Sequence, residues 1–248
     1  FCILGNASTE VASNSESVAN GTSAESRQSE TGTQANQSNA SSQATDSGTS
    51  EKALDENRET RAAASAASNR IADAPSVSGT WKREAGGWRF YSNSGVMQKG
   101  FCYISGKKYY FGPSDGLMKT GWQKVGRYYY YLGSADDGSV KTGWQNIGGS
   151  WYYFQINGVM SYGMVDVGSS VYYFGSSGDG AMKTGWQVIY DLYYYFGGAN
   201  DGAMKTGWQQ IGGSWYCFDS TGYMYSGRQS ISGKNYYLGS ASDGSMKT

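Results

Sequence analysis

The chain has 248 residues, enough for one large domain or two ordinary ones, and carries 20 Lys+Arg against 20 Asp+Glu with no histidine. The missing histidine excludes most acid–base triads and every histidine-containing zinc site, and three cysteines (Cys2, Cys102, Cys217) are too few for a four-cysteine zinc site or a dense disulfide framework. Zero net charge argues against nucleic acid as a partner, because phosphate binding needs a clustered basic surface.

Taken in chain order, the first residues, Phe-Cys-Ile-Leu-Gly-Asn-Ala, read as the end of a secretory signal peptide over residues 1–7. Four apolar residues cannot span a bilayer, so no transmembrane segment is expected, and the predicted location is secreted or cell-surface. Residues 1–75 hold 14 Ser, 15 Ala, 10 acidic and 5 basic side chains, and after Phe1 no aromatic residue appears until Trp81. Such a stretch buries too little apolar surface to offset ordering entropy, so residues 8–75 are predicted to be a disordered Ser/Ala-rich linker. Residues 51–70 are rich in helix formers but have no apolar face to pack.

From Gly79 the sequence repeats. Units begin at Gly79, Gly100, Gly121, Gly143, Gly163, Gly185, Gly207 and Gly227, with lengths of 20 to 22 residues. The final Lys247-Thr248 repeats the Lys-Thr before Gly121, Gly143, Gly185 and Gly207, so the array is expected to continue past the chain. Each unit reads as a two-stranded hairpin: seven of the eight turn pairs contain glycine, as at Gly148-Gly149 and Gly212-Gly213, and the exception is Tyr190-Asp191. The fold class predicted for 79–248 is all-β, a solenoid of eight tandem hairpins, each burying one face on its neighbours.

Placing the turns fixes the register. In the fourth unit Ile147 opposes Ser150, Asn146 opposes Trp151 and Trp144 opposes Tyr153, so Trp144, Trp151 and Tyr153 share one face and Ile147 and Tyr152 the other. The Ile147 position is apolar in seven of eight units and is predicted to be the packing position. The methionine of the G-x-Met linkers (Met97, Met118, Met160, Met182, Met204, Met224, Met246) is expected to fill gaps.

The opposite face varies with a period of three units. Trp81/Trp88, Trp144/Trp151 and Trp208/Trp215 supply paired tryptophans in units one, four and seven, and Trp122/Tyr129 and Trp186/Tyr193 supply pairs in units three and six. Units two, five and eight carry Phe101/Lys108, Met164/Val171 and Arg228/Asn235 instead. Clustered rings with few charges suit a quaternary ammonium held by cation–π attraction, or a stacked sugar ring; alternatively the rings only fill space between hairpins. A few rings give roughly millimolar affinity, so useful binding would come from several sites on one polymer.

The segments GWQNIGGSWYYFQINGVM and GWQQIGGSWYCFDSTGYM resemble the choline-binding, or cell-wall-binding, repeats of Gram-positive surface proteins, over all of 79–248. The resemblance implies an exported hairpin solenoid that holds choline of teichoic acids between consecutive hairpins, with two aromatics from one hairpin, one from the next, and often a methionine. It implies ligand-binding roles for Trp81, Trp88, Trp122, Tyr129, Trp144, Trp151, Tyr153, Trp186, Tyr193, Trp208 and Trp215. Other segments, GKKYYFGPSDGLMKT and GKNYYLGSASDGSMKT, are closer to the glucan-binding repeats of exported glucosyltransferases, and somewhat similar to those of large clostridial toxins. The expected partner is therefore a choline-bearing wall polymer, with glucan or another carbohydrate as the alternative.

No catalytic residue, cofactor or metal is expected. The five Asp-Gly pairs at Asp115, Asp137, Asp179, Asp201 and Asp243 read as turn chemistry, because no cluster of further oxygen ligands accompanies them. Cys217 replaces the tyrosine expected opposite Trp208, and Cys102 and Cys217, five hairpins apart, are expected to be separate thiols.

Overall fold

The computed structural model describes residues 74–247. The expected signal-peptide end at 1–7 and, except for residues 74 and 75, the expected linker at 8–75 lie outside the described residues.

Eight antiparallel hairpins follow one another, each a separate two-stranded sheet. Hairpin 1 is β1 (Gly79–Glu84) with β2 (Gly87–Ser92), and hairpin 2 is β3 (Gly100–Ile104) with β4 (Lys107–Phe111). Hairpin 3 pairs β5 (Gly121–Val125) with β6 (Tyr128–Leu132), and hairpin 4 pairs β7 (Gly143–Ile147) with β8 (Ser150–Phe154). Hairpin 5 has the short strands β9 (Met164–Val167) and β10 (Ser170–Tyr173), and hairpin 6 has β11 (Gly185–Ile189) and β12 (Leu192–Phe196). Hairpin 7 is β13 (Gly207–Ile211) with β14 (Ser214–Phe218), and hairpin 8 is β15 (Gly227–Ile231) with β16 (Lys234–Leu238). Among the described residues there is no helix, and so none long enough to cross a membrane.

The register is the one the turns predict: Ile147 faces Ser150, Asn146 faces Trp151, and Trp144 faces Tyr153. Even the glycine-free turn closes the same way, with Tyr190 and Asp191 both held at left-handed φ of 51° and 62°.

A lone hairpin is marginal in water, and the linkers supply what it lacks. The linker methionine, or Val140, bridges its own hairpin in every unit but the fifth, as in Phe154 with Met160 and Phe196 with Met204. Its N–H then reaches back to the preceding hairpin: Met118 to the carbonyl of Trp88, Val140 to Lys108, Met160 to Tyr129, Met182 to Trp151 and Met204 to Val171, each at 2.8 Å. The methionine side chain lies against a left-handed glycine of the following loop, as Met118 does at Gly138 and Met204 at Gly222. At Gly138, with φ +58°, a Cβ would strike the Met118 thioether.

The deepest core is not where the Ile147 position placed it. Ile104 and Ile189 are buried, but Ile147, Val125 and Ile211 are only half-buried. The most buried side chains close the second strands: Phe111, Leu132, Phe154, Phe174, Phe196, Phe218 and Leu238 are at most 2% exposed. The reason is inter-hairpin. Four of these phenylalanines slide under the first tryptophan of the preceding hairpin, with Trp81–Phe111, Trp122–Phe154, Trp144–Phe174 and Trp186–Phe218 centroids 5.5–5.8 Å apart, and Phe196 stacks on Tyr173 at 5.9 Å.

Candidate functional site

The same stacking opens clefts on the surface. At hairpin 1, Trp81 and Trp88 stand edge to face with centroids 6.4 Å apart and planes at 87°. Tyr109 of hairpin 2 closes on Trp81 at 5.1 Å, Met118 of the following linker forms another wall, and Ala135, Asp136 and Asp137 of the loop after hairpin 3 complete a cleft of about 260 Å³. Hairpin 4 repeats it. Trp144 and Trp151 stand 6.3 Å apart at 85°, Tyr172 lies 4.8 Å from Trp144, and Met182, Ala199, Asn200 and Asp201 complete a cleft of about 340 Å³. Every wall of the second cleft lies 63 or 64 residues after its counterpart in the first, the period of the three-unit pattern in the sequence. A complete cleft needs three consecutive hairpins.

The two tryptophans of a pair do different things. The first packs: Trp144 touches Tyr153, Tyr172 and Phe174 at 4.8–5.5 Å, and Trp81 joins the core of Phe90, Cys102, Tyr109 and Phe111. The second stands out in two of the three pairs, Trp151 being 39% exposed and Trp215 41%, while Trp88 is half-buried. Hairpins 3, 6 and 7 assemble equivalent ring sets, with Trp122 against Tyr152 at 4.9 Å, Trp186 against Tyr216 at 4.9 Å and Trp208 against Tyr236 at 4.8 Å. Their second rings, Tyr129, Tyr193 and Trp215, each accept a linker N–H at their carbonyl, as Trp88 and Trp151 do. Tyr153 lines neither cleft. It backs Trp144 at 5.3 Å and stacks on Phe174 at 6.3 Å.

Sequence reasoning left Tyr109 and Tyr172 out of the site because alternation puts them on the packing face. That face is what each hairpin presents to its predecessor, so its tyrosine becomes the third ring of the preceding cleft. A signal was available: tyrosine occupies this place in seven of eight units, at 109, 130, 152, 172, 194, 216 and 236. Met118 and Met182, expected as gap-fillers, also line clefts, because their backbone N–H bonds anchor them beside the second ring.

The cleft mouths carry carboxylates paired with lysines: Asp137 with Lys141 and, at 3.5 Å, Lys107, and Asp201 with Lys205. Asp137 binds the Lys141 ammonium and the Ser139 hydroxyl, which together hold its carboxyl below the ordinary value of 3.8. Asp201 is lowered in the same sense by Lys205, and Asp115 and Asp243 by Lys119 and Lys247. Among the described residues no group of three or more acidic or cysteine side chains stands together as a metal site. Cys102 and Cys217 are buried free thiols, and burial pushes the Cys102 thiol up to about 11.

Residues 141–183 and 205–248 match the family model of the choline-binding repeat, and residues 99–118 match that of a putative cell wall binding repeat. Among solved structures, the chain is similar to CbpJ from Streptococcus pneumoniae at 30% identity and a TM-score of 0.60, over 65% of this chain and 56% of that one. It is similar to choline binding protein F from the same organism at 32% identity and a TM-score of 0.58, over 64% and 55%. That relative has also been solved in the presence of a peptidoglycan analogue, a tetrasaccharide-pentapeptide (32% identity, TM-score 0.57, 64% and 55% coverage). The chain thus spans little more than half the length of these relatives. No match was found among curated proteins.

Proposed function

The tandem hairpins are choline-binding, cell-wall-binding repeats, and from that premise we propose that they hold an exported protein on its surface by gripping choline-bearing teichoic or lipoteichoic acid in the aromatic clefts. The repeat is a binding module of the cell surface, not a catalytic one. One observation carries the finer reading. Two clefts 63–64 residues apart are each walled by two tryptophans, a tyrosine and a methionine, with carboxylates at the mouth. A quaternary ammonium has no proton to donate and no face that needs a hydrogen-bond partner. It gains about 0.5–2 kcal/mol from each ring it meets. Summed over one cleft this supports roughly millimolar affinity, and several clefts along one polymer raise it by avidity.

The test is competition. Millimolar choline should quench tryptophan fluorescence and elute the protein from a tertiary-amine resin, with glucose oligomers inert. Elution by dextran and indifference to choline would transfer the clefts to the glucan reading. Indifference to both would leave the rings as packing residues only.

A further inference from the structure

Hairpin 2 has the cleft architecture without an open cleft. Phe101 takes the place of the first ring and meets Tyr130, the next hairpin's ring, at 4.8 Å. Lys108 takes the place of the second ring, and its carbonyl accepts the Val140 N–H at 2.8 Å just as Trp88 accepts Met118 and Trp151 accepts Met182. The side chain turns inward. Its ammonium lies 4.8 Å from the centre of the Phe101 ring and donates to the Asn157 carbonyl at 3.0 Å, in the loop after hairpin 4. That loop is the counterpart of residues 135–137 and 199–201, which close the two open clefts. The groove remaining there, about 360 Å³, is walled by Lys108, Val140, Ile156 and Asn157 but not by Phe101 or Tyr130. Tyr130 is only 2% exposed.

We infer that hairpin 2 holds a cation site already filled by the chain itself, with the Lys108 ammonium standing where an external quaternary ammonium would otherwise sit. The polar contact fits the difference between the two cations. A primary ammonium must donate its protons when it leaves water, and the Asn157 carbonyl accepts one; a quaternary ammonium needs no acceptor. Being tethered, Lys108 is present at a high effective concentration and excludes a free cation that binds at millimolar strength. The junction of hairpins 2 to 4 is thereby closed without ligand, whereas the open clefts gain this cation contact only when occupied. The choline part of this inference rests on the function proposed above; the position of the ammonium does not.

Two measurements on the full chain separate them. In brief acylation of lysines read by mass spectrometry, Lys108 should react roughly three- to tenfold slower than the exposed Lys234, the ratio a cation–π contact implies. Equal rates would overturn the resident ammonium, whatever the protein binds. In equilibrium dialysis with choline, Lys108→Trp, which supplies the missing ring, should bind one more equivalent than the parent, and Lys107→Trp should bind no more. Lys108→Met, which keeps the stem and removes the charge, should lose melting temperature relative to the parent and recover part of it in millimolar choline. A folded Lys108→Trp with unchanged stoichiometry, or a Lys108→Met without choline-dependent recovery, would refute the stopper. If the parent binds no choline at all, the proposed function fails and the acylation rates alone decide.

Discussion

The cleft at hairpin 4 and the junction one hairpin further on share a backbone and differ in what fills it. At hairpin 4 the Met182 N–H reaches the Trp151 carbonyl, and at hairpin 5 the Met204 N–H reaches the Val171 carbonyl, both at 2.8 Å. Trp144, Trp151, Tyr172 and Met182 leave a cleft of about 340 Å³. Met164 and Val171 instead collapse against Tyr194, Ile189, Leu192 and Phe196 into a closed core, where Tyr194 is 1% exposed and Met164 4%. The two junctions share the backbone bond, and the side chains at two positions decide whether a cleft opens there.

The largest effect that sharpens this contrast comes from the closed side. Phe196→Ala removes a fully buried ring at hairpin 6 and should cost about 3–5 kcal/mol in chemical denaturation, while choline binding per folded molecule at the distant hairpin 1 cleft persists. Trp151→Ala should do the opposite: choline affinity at its cleft falls roughly two- to thirtyfold in fluorescence titration, and the melting temperature moves little because the ring is 39% exposed. A Trp151→Ala variant that melts early with unaltered binding would erase the distinction between the two junctions. Val171→Ala should leave choline uptake unchanged, since nothing there is open to a ligand.

Acid should release the Asp–Lys clasps at the open clefts together with the matching clasps of Asp115 and Asp243. The carboxyls of Asp137 and Asp201 are lowered in the folded state chiefly by hydrogen bonds from Lys141 and Lys205. Because the folded value lies below the unfolded one, their stabilising contribution is fully present above the unfolded value and is lost as pH falls through the folded one. Choline affinity measured from pH 7 downward should thus hold until below about pH 4 and then drop as the loop clasps at both mouths release. The smallest effect compares the clefts with each other: hairpin 1 has Asp136 where hairpin 4 has Asn200. Asp136→Asn should weaken the first cleft, and Asn200→Asp should strengthen the fourth, each by less than about fivefold and only at low salt.

The hairpins were legible because alternation and turn glycines fix a register locally, and even Tyr190-Asp191 declared itself by its place between two apolar strands. The ring pairs and their three-unit period were legible for the same reason. What stayed hidden was whatever a neighbouring hairpin creates. Phe154 sits at the end of its strand, and its burial comes from Trp122 of the hairpin before it. Tyr172 belongs to the packing face of its own hairpin and becomes a cleft wall only because that face meets Trp144. The choice between packing and binding for the tryptophans dissolves for similar reasons: Trp144 does the packing and holds one wall, and Trp151 supplies the exposed one.

The central claim is that open junctions take a quaternary ammonium and closed ones do not, and the methionines report on each junction separately. With methyl-labelled methionine, a choline titration followed by NMR should shift Met118 and Met182, which line the two open clefts, and leave Met164 and Met204 in the closed core unmoved. Shifts at Met164 and Met204 as large as those at Met118 and Met182, or no shift at Met118 and Met182 at millimolar choline, would contradict the account.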